Sequence, residues 1–248
     1  MSKKWSSIFG LAVMVTVLAF AIAGCGGQAD TKEILIGGNM ELTGSVASYG
    51  KQVLNGVNLA FKQTNANGGV LGKQLKLIVA DNKTEPSESS NAITKLITQD
   101  KVVAVLGSVT SSNMLATVQI SQDNKIPAIT PTGTNASITV DETGKVRPYA
   151  FRACFIDPFQ GTVMGTFASK SLKAKTAAIY IDNSSDYSKG LAKVFEETFT
   201  KNGGTIVAKE AFLQKDQDFK ATLTKVKASN PDVVFVPAYY EEVGKIIK

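Results

Sequence analysis

The feature that most constrains the fold is a regular alternation of short apolar segments with longer amphipathic ones. In the first half of the chain, the short apolar segments are residues 34–38, 75–80, 102–106 and 126–129. The segments between them carry apolar residues at helical spacing, over residues 46–65, from residue 86 onward and over residues 111–122. Continuous apolar strands separated by amphipathic helices are typical of a parallel sheet that is covered on both faces. We therefore predict a β-α-β-α-β-α-β unit.

The alternation restarts after a polar, irregular stretch over residues 135–147 and an extended crossing over residues 148–155. Predicted strands follow at residues 176–181, 205–212 and 233–236, with helices over residues 188–200, over 219–228 and from 241 onward. We predict an α/β fold of two Rossmann-like lobes with parallel sheets, residues 34–150 and 151–248. Because an average sheet has about five or six strands, the second lobe is predicted to be incomplete. The alternative is a two-lobed protein of minimal size.

The first 25 residues have the features of a secretory signal. Lys3 and Lys4 precede an uncharged apolar run over residues 8–23, and small residues then lead directly into Cys25. The bacterial lipoprotein signal places its lipid-accepting cysteine at this point. We predict a signal peptide over residues 1–24, a lipid-anchored tether over residues 25–33 and a location outside the cytoplasmic membrane, since two acyl chains suffice for stable anchoring. The alternative is an ordinary signal peptide with an incidental cysteine.

Composition and missing motifs exclude several classes of function. The chain contains no histidine, which removes Ser-His-Asp and Cys-His catalysis and the commonest metal ligand. The glycine-rich residues 68–73 are not followed by the Ser or Thr of a P-loop, and the turn after residue 38 lacks the Gly-x-Gly-x-x-Gly pattern of dinucleotide-binding enzymes. The net charge of +6 comes from scattered lysines, which argues against a nucleic-acid partner. We predict no enzymatic activity, no cofactor and no metal.

Short motifs along residues 34–248 together resemble one family. They are Leu42-Thr43-Gly44, Ala47-Ser48-Tyr49-Gly50, Asn65-Ala66-Asn67-Gly68-Gly69, Gly107-Ser108, Thr130-Pro131-Thr132-Gly133-Thr134, Phe151-Arg152 with Asp157, Asp186-Tyr187-Ser188-Lys189-Gly190 and Asp232-Val233-Val234. The chain resembles the amino-acid-binding receptors of ATP-driven importers, most of all the leucine/isoleucine/valine-binding proteins with the type I periplasmic-binding fold. Glu41 departs from the family pattern, because relatives often have proline there. We expect Glu41 at a loop edge, where it has little effect.

The resemblance implies an extracytoplasmic substrate-binding receptor of an ABC transporter. Such a receptor closes two lobes on a branched-chain or related amino acid and presents it to a membrane permease. The alternative is a ligand-sensing domain of the same fold in a regulatory system, but the anchor predicted at Cys25 favours transport. A Rossmann-type enzyme with Asp81 at the ribose is disfavoured by the missing glycine pattern.

Candidate polar contacts follow two strands of the first lobe, where ligands bind in open α/β sheets. Ser111 begins the helix after strand 102–106, so its hydroxyl and the free N–H groups of the first turn form a carboxylate site. The alternative is a plain N-cap. The resemblance implies that Thr134 meets the ligand carboxylate and ammonium, and that the Thr132 carbonyl accepts from the ammonium. Otherwise both are exposed threonines of a Pro-Gly turn.

The aromatic part of the site is implied by the same resemblance. Tyr49, Tyr187 and Tyr239 wall the cleft and close over the ligand, with Tyr240 as the alternative to Tyr239. Relatives pair the ligand ammonium with an acidic residue of a later loop in the second lobe. We expect that loop after Lys248.

The predicted anchor is tested by Cys25→Ser. Because the thioether forms on this sulfur, the variant is expected to lose lipid labelling and to leave the membrane fraction. The matched control is Cys154→Ser, since Cys154 is the only other cysteine. Equal retention of both variants in the membrane, without lipid on the wild type, would contradict the prediction.

Overall fold

A computed structural model describes residues 32–248, and it confirms an α/β fold with parallel sheets. The predicted signal peptide, Cys25 and nearly all of the predicted tether lie outside the described residues. The elements of the first lobe are β1 (Glu33–Met40), α1 (Ala47–Ala66), β2 (Gln74–Asp81), α2 (Pro86–Thr98), β3 (Ala104–Leu106), α3 (Ser111–Asn124), β4 (Ala128–Thr130) and β5 (Ala150–Arg152). Their five strands form a parallel sheet in the order β2-β1-β3-β4-β5.

The second lobe repeats the pattern with a smaller sheet. Its elements are α4 (Asp157–Thr166), β6 (Thr176–Asp182), α5 (Asp186–Lys201), β7 (Thr205–Phe212), α6 (Lys220–Ala228), β8 (Val233–Phe235) and α7 (Tyr240–Ile246). The three strands are parallel, in the order β7-β6-β8. Among residues 32–248, no helix combines the length and the apolar character that crossing a membrane requires.

Each lobe buries its own apolar core. In the first lobe, Ile93 of α2 and Met114 of α3 pack with Val105 of β3, and all three side chains are fully buried. In the second lobe, Phe195 and Phe199 of α5 stack with ring centroids 5.6 Å apart and cover one face of the sheet. Each buried side chain of this size stabilises the fold by about 1.5–3 kcal/mol. The apolar residues at helical spacing in the sequence are therefore the residues that fill these cores.

The boundary between the lobes differs from the predicted one. β5 spans residue 150, where the sequence placed the boundary, and it pairs with β4 in the first sheet, with Ala128 opposite Ala150 and Thr130 opposite Arg152. The chain therefore leaves the first lobe after Arg152. A strand of three residues is too short to show an alternating pattern, so its partner is set by the neighbouring strand and not by local sequence.

The carboxyl ends of β1, β3 and β4 lie at one edge of the first sheet, so the loops that follow them lie side by side. Gly107 makes this close arrangement possible. Its φ is +99°, and a Cβ there would lie 2.0 Å from the carbonyl oxygen of Asn39. Only glycine adopts this backbone without strain and lets the loop after β3 pass so close to β1.

The second lobe is expected to be the less stable one when residues 25–248 are produced alone. Both β7 and β8 are edge strands of the described sheet, Val234 of β8 is 46% exposed, and Phe159 and Phe167 project from the second lobe with 63% and 47% exposure. Unpaired edges and exposed apolar surface lower local stability and promote association. Hydrogen exchange should show weaker protection in β6–β8 than in β1–β4, which serve as the internal reference. Uniform protection in a monomeric protein would contradict this prediction.

Candidate functional site

Several hydrogen bonds join the lobes around one cleft. Asn135 Nδ2 donates to the carbonyl oxygen of Asp186 at 2.8 Å, and the Asp186 N–H donates to Ser112 Oγ at 2.9 Å. On the other side, Gln214 Nε2 donates to Ser45 Oγ at 2.7 Å. The Ser48 N–H donates to the Tyr240 hydroxyl at 3.3 Å. The loops at the carboxyl edge of the first sheet therefore face the second lobe directly.

A cavity of about 220 Å³ lies between these loops, and both lobes contribute to its wall. Its lining residues are Tyr49, Val109, Thr110, Thr132, Thr134, Phe155, Gln160, Tyr187, Ala238 and Tyr239. Five of the six ligand-binding residues predicted from the sequence are in this group, and only Ser111 is not. A larger cavity, about 500 Å³, lies beside it, but its lining residues include no aromatic side chain and none of the predicted ones.

Tyrosine rings form a continuous contact across the cleft. Tyr187 and Tyr239 of the second lobe stack with centroids 5.3 Å apart and planes 12° apart. Tyr49 of the first lobe meets Tyr239 edge to face at 6.2 Å and Tyr240 at 4.9 Å. Burial raises the pKa of Tyr187 and of Tyr239, so both hydroxyls stay protonated at neutral pH. The rings supply apolar surface and their hydroxyls supply hydrogen-bonding groups.

Ser111 lies behind the cavity wall. Its side chain is 1% exposed, and its Oγ accepts a hydrogen bond from the Asn135 N–H at 3.2 Å. It is the first residue of α3, while Thr110 occupies the N-cap position without a side-chain capping bond. Ser111 therefore ties the start of α3 to the loop after β4 and does not act as a plain N-cap.

The loop that carries Thr132 and Thr134 is held from two sides. Thr132 Oγ1 donates to the carbonyl oxygen of Val109 at 2.6 Å, which links this loop to the loop after β3. The Arg152 guanidinium donates to the carbonyl oxygens of Gly133 at 3.1 Å and Asn135 at 2.7 Å, and to Thr139 Oγ1 at 2.8 Å. The sequence marked Arg152 as part of a motif, and the structure gives its contacts.

Glu41 does not lie at a loop edge as expected from the sequence, because the structure buries it completely. Its Oε1 accepts from the Thr110 N–H, from Thr110 Oγ1 and from Asn113 Nδ2 at 2.9–3.0 Å, and its Oε2 accepts from the Val109 N–H at 3.0 Å. The Glu41 carboxylate thus accepts hydrogen bonds from the backbone N–H groups just before α3, where anions are favoured. The sequence did contain a signal for this role, because Glu41 is an acidic residue directly after a predicted strand, at a position where relatives often have proline.

Asp157, which the sequence marked as part of a motif with Phe151-Arg152, is the second buried acid near the cavity. It begins α4, its N–H donates to the Thr134 carbonyl oxygen at 2.9 Å, and its side chain is 2% exposed. Neither carboxyl oxygen has a hydrogen-bond partner among the described residues. Burial raises the pKa of Asp157 to about 6, and the Thr134 hydroxyl and the Arg152 guanidinium oppose this rise only in part. Within residues 32–248, no cluster of three or more His, Cys, Asp or Glu side chains is able to hold a metal ion.

Glu41→Ala is expected to lower the free energy of unfolding by about 2–4 kcal/mol, because it leaves the Val109, Thr110 and Asn113 donors buried without an acceptor. The matched control is Glu88→Ala, which removes an acid of the first turn of α2 and its surface ion pair to Lys83 at 3.4 Å, and should lower stability by less than about 1 kcal/mol. Urea unfolding followed by circular dichroism is the measurement. Equal midpoints for the two variants would rule out a structural role for Glu41.

Comparison with known proteins supports the architecture. Residues 33–248 match the family model described as "Periplasmic binding protein". The Leu/Ile/Val-binding protein BraC3 of Rhizobium johnstonii is 35% identical over 237 residues, which cover 96% of this chain and 61% of that protein. The chain thus spans about three fifths of the length of such relatives.

Two solved structures share the fold. The branched-chain amino acid transporter substrate binding protein LivJ from Streptococcus pneumoniae, in complex with isoleucine, is 42% identical with a TM-score of 0.79, over 87% of this chain and 60% of that one. A solute binding protein of an ABC transporter from Rhodopseudomonas palustris BisB5, in complex with 3,4-dihydroxybenzoic acid, is 26% identical with a TM-score of 0.75, over 86% and 56%. Since the family match covers every element from β1 to α7, the chain belongs to the periplasmic binding protein family and has its type I fold.

Proposed function

We propose that this chain binds a branched-chain or related amino acid between its lobes, as the extracytoplasmic receptor of an ABC transporter. The observation that carries the proposal is the cavity between the lobes, whose lining includes three threonines and three tyrosines. At about 220 Å³ it is smaller than the roughly 300–1,000 Å³ typical of pockets for drug-sized ligands. A free amino acid, with few non-hydrogen atoms, suits this size.

The polar and the aromatic lining residues of the cavity suit the two parts of an amino acid. Thr132 and Thr134 lie in the loop after β4, beside the start of α3, where hydroxyl and N–H groups favour a carboxylate. Tyr49, Tyr187 and Tyr239 surround the remaining space with aromatic surface, which favours an aliphatic side chain. This division of the cavity supports a zwitterion with an apolar side chain as the ligand.

The relatives support the same class of ligand. LivJ of Streptococcus pneumoniae holds isoleucine, and the more distant protein from Rhodopseudomonas palustris holds a benzoic acid derivative. Both ligands carry a carboxylate. We assign the amino acid to this chain because it is 42% identical to LivJ and 26% identical to the second protein.

Transport rather than sensing is the role we propose for the bound form. Hinge closure around the ligand brings the lobes together through contacts such as Tyr49 with Tyr239, and the closed form is then presented to a membrane permease. A lipid on Cys25 would keep the receptor at the outer face of the cytoplasmic membrane. The protein in this proposal is a binding protein without enzymatic activity or cofactor.

Calorimetry on the full-length protein with a panel of amino acids tests the proposal. Thr134→Ala should weaken binding of the best ligand by roughly 10- to 150-fold, because a hydrogen bond to a charged group contributes about 1.5–3 kcal/mol. Ser111→Ala should weaken it by less than about tenfold, since the Ser111 hydroxyl accepts from the Asn135 N–H behind the wall. Thr94→Ala, on the exposed face of α2, is the control without effect.

Two results would count against this proposal. Unchanged affinity of Thr134→Ala would remove Thr134 from the site. Failure of the wild type to bind any amino acid would reject the receptor function itself.

A further inference from the structure

We propose that Glu41 is a fixed anion behind the cavity wall, and that its charge makes the cavity reject amino acids that carry a second carboxylate. Glu41 acts through the wall residues that it holds, so it is a positioning residue that sets specificity without touching the ligand. This inference rests on the proposed function and adds the charge class of the ligand to it. The family likeness does not supply it, because relatives often have proline at this position.

The Glu41 carboxylate lies one hydrogen bond behind the cavity wall. Its Oε2 accepts from the Val109 N–H and its Oε1 accepts from the Thr110 N–H, both at 3.0 Å, and Val109 and Thr110 line the cavity. Thr132, a third lining residue, donates from its Oγ1 to the carbonyl oxygen of Val109 at 2.6 Å. The side chain of Glu41 is fully buried, so its charge stays where these bonds hold it.

The charge of Glu41 is held by dipoles and is not cancelled by a cation. All its hydrogen bonds come from donors, namely two backbone N–H groups, the Thr110 hydroxyl and the Asn113 amide, and this pattern suits an ionised carboxylate. Glu41 forms no ion pair within residues 32–248. Burial is the main cause of the raised pKa of Tyr239, which lines the cavity from the second lobe, and the Glu41 charge adds to that rise. The field of the carboxylate therefore reaches the cavity.

The cavity wall offers no cation to a second carboxylate. Its lining residues include neither lysine nor arginine. A carboxylate at the end of a ligand side chain would therefore meet the repulsion of Glu41 without an opposite charge to offset it. At the effective dielectric constant of a protein, two like charges about 8 Å apart repel strongly enough to weaken binding by roughly tenfold or more.

A neutral amino acid does not meet this penalty. Glu41 repels its α-carboxylate but attracts its ammonium group, so the two effects offset each other. The start of α3 favours anions, because the dipole of the helix and its free N–H groups point there. Glu41 already occupies two of the N–H groups just before α3, and this leaves less attraction for a further anion.

The experiment is displacement of L-leucine from the full-length protein at pH 7.5, followed by isothermal titration calorimetry, with L-asparagine and L-aspartate as competitors. The two competitors have nearly the same shape, and only aspartate carries a second carboxylate. The wild type should bind aspartate at least about tenfold more weakly than asparagine. Glu41→Gln keeps the size of the side chain and removes its charge, so the two affinities should come within about threefold of each other.

Two control variants separate charge from structure. Glu41→Asp keeps the charge and loses the fit, so it should lower stability but keep the affinity ratio of the wild type within about threefold. Glu88→Gln removes an equal charge from a surface ion pair with Lys83 and should also keep that ratio. Asp157, the other buried acid near the cavity, is present in all four proteins, so the comparison isolates the charge at position 41.

Every result of this experiment decides the matter. A ratio that Glu41→Gln leaves unchanged overturns the inference, and so does a ratio that Glu41→Gln and Glu41→Asp change equally, since a purely structural role affects both variants alike. A wild type that does not distinguish the two competitors, or that neither competitor displaces, also overturns it.

If Glu41→Gln fails to fold even with saturating leucine, Glu41→Asp decides, because a retained ratio supports a charge effect and a lost ratio overturns it. If the wild type binds no amino acid at all, the proposed function itself fails. That result differs from a protein that binds leucine but whose affinity ratio does not depend on Glu41.

Discussion

A buried hydrogen-bond network fixes how the first sheet ends, and the cleft is built on that end. Asn39, at the end of β1, accepts from Asn82 Nδ2 at 3.0 Å and donates to the carbonyl oxygen of Ser89 at 2.9 Å. Asn113 joins Asn82 to the carboxylate of Glu41 at 3.1 Å and 2.9 Å. All these side chains are buried, so losing one member leaves others unsatisfied. The network therefore holds the ends of β1 and β2 and the start of α3 as one unit.

Because the network holds these elements as one unit, the cleft is able to contain polar groups that do not stabilise the fold. Asp157 is buried with neither carboxyl oxygen hydrogen-bonded to another described residue, and Tyr49, Tyr187 and Tyr239 line the cavity. Such groups persist only where the surrounding structure fixes them, and here Arg152 and the Glu41 network do so from two sides. Each lobe has a separate apolar core, so these supports do not depend on apolar packing between the lobes.

Periodicity in the sequence was enough to predict the α/β architecture, and the motifs were enough to predict Tyr49 and Thr134 at the cavity. Periodicity did not predict the pairing of β5, because three residues carry no pattern. It also did not predict the burial of Glu41. The partners of Glu41 are 68 to 72 positions away in the chain, so its burial is a tertiary property. The sequence marked Asp157 as part of a motif, but its burial is a tertiary property in the same way. A helix-starting acid and an unpaired buried acid look alike in sequence, since local pattern reports which face a residue occupies and not what it meets.

The tyrosine contact across the cleft also determines how the molecule can be observed. Four of its six tyrosines, Tyr49, Tyr187, Tyr239 and Tyr240, lie at the boundary between the lobes, and its one tryptophan is Trp5. Residues 32–248 contain no tryptophan, so the near-ultraviolet emission of this part of the chain comes from its tyrosines. Most of the tyrosines of residues 32–248 lie where the lobes meet, so they form an intrinsic optical reporter of the boundary between the lobes, with no label attached.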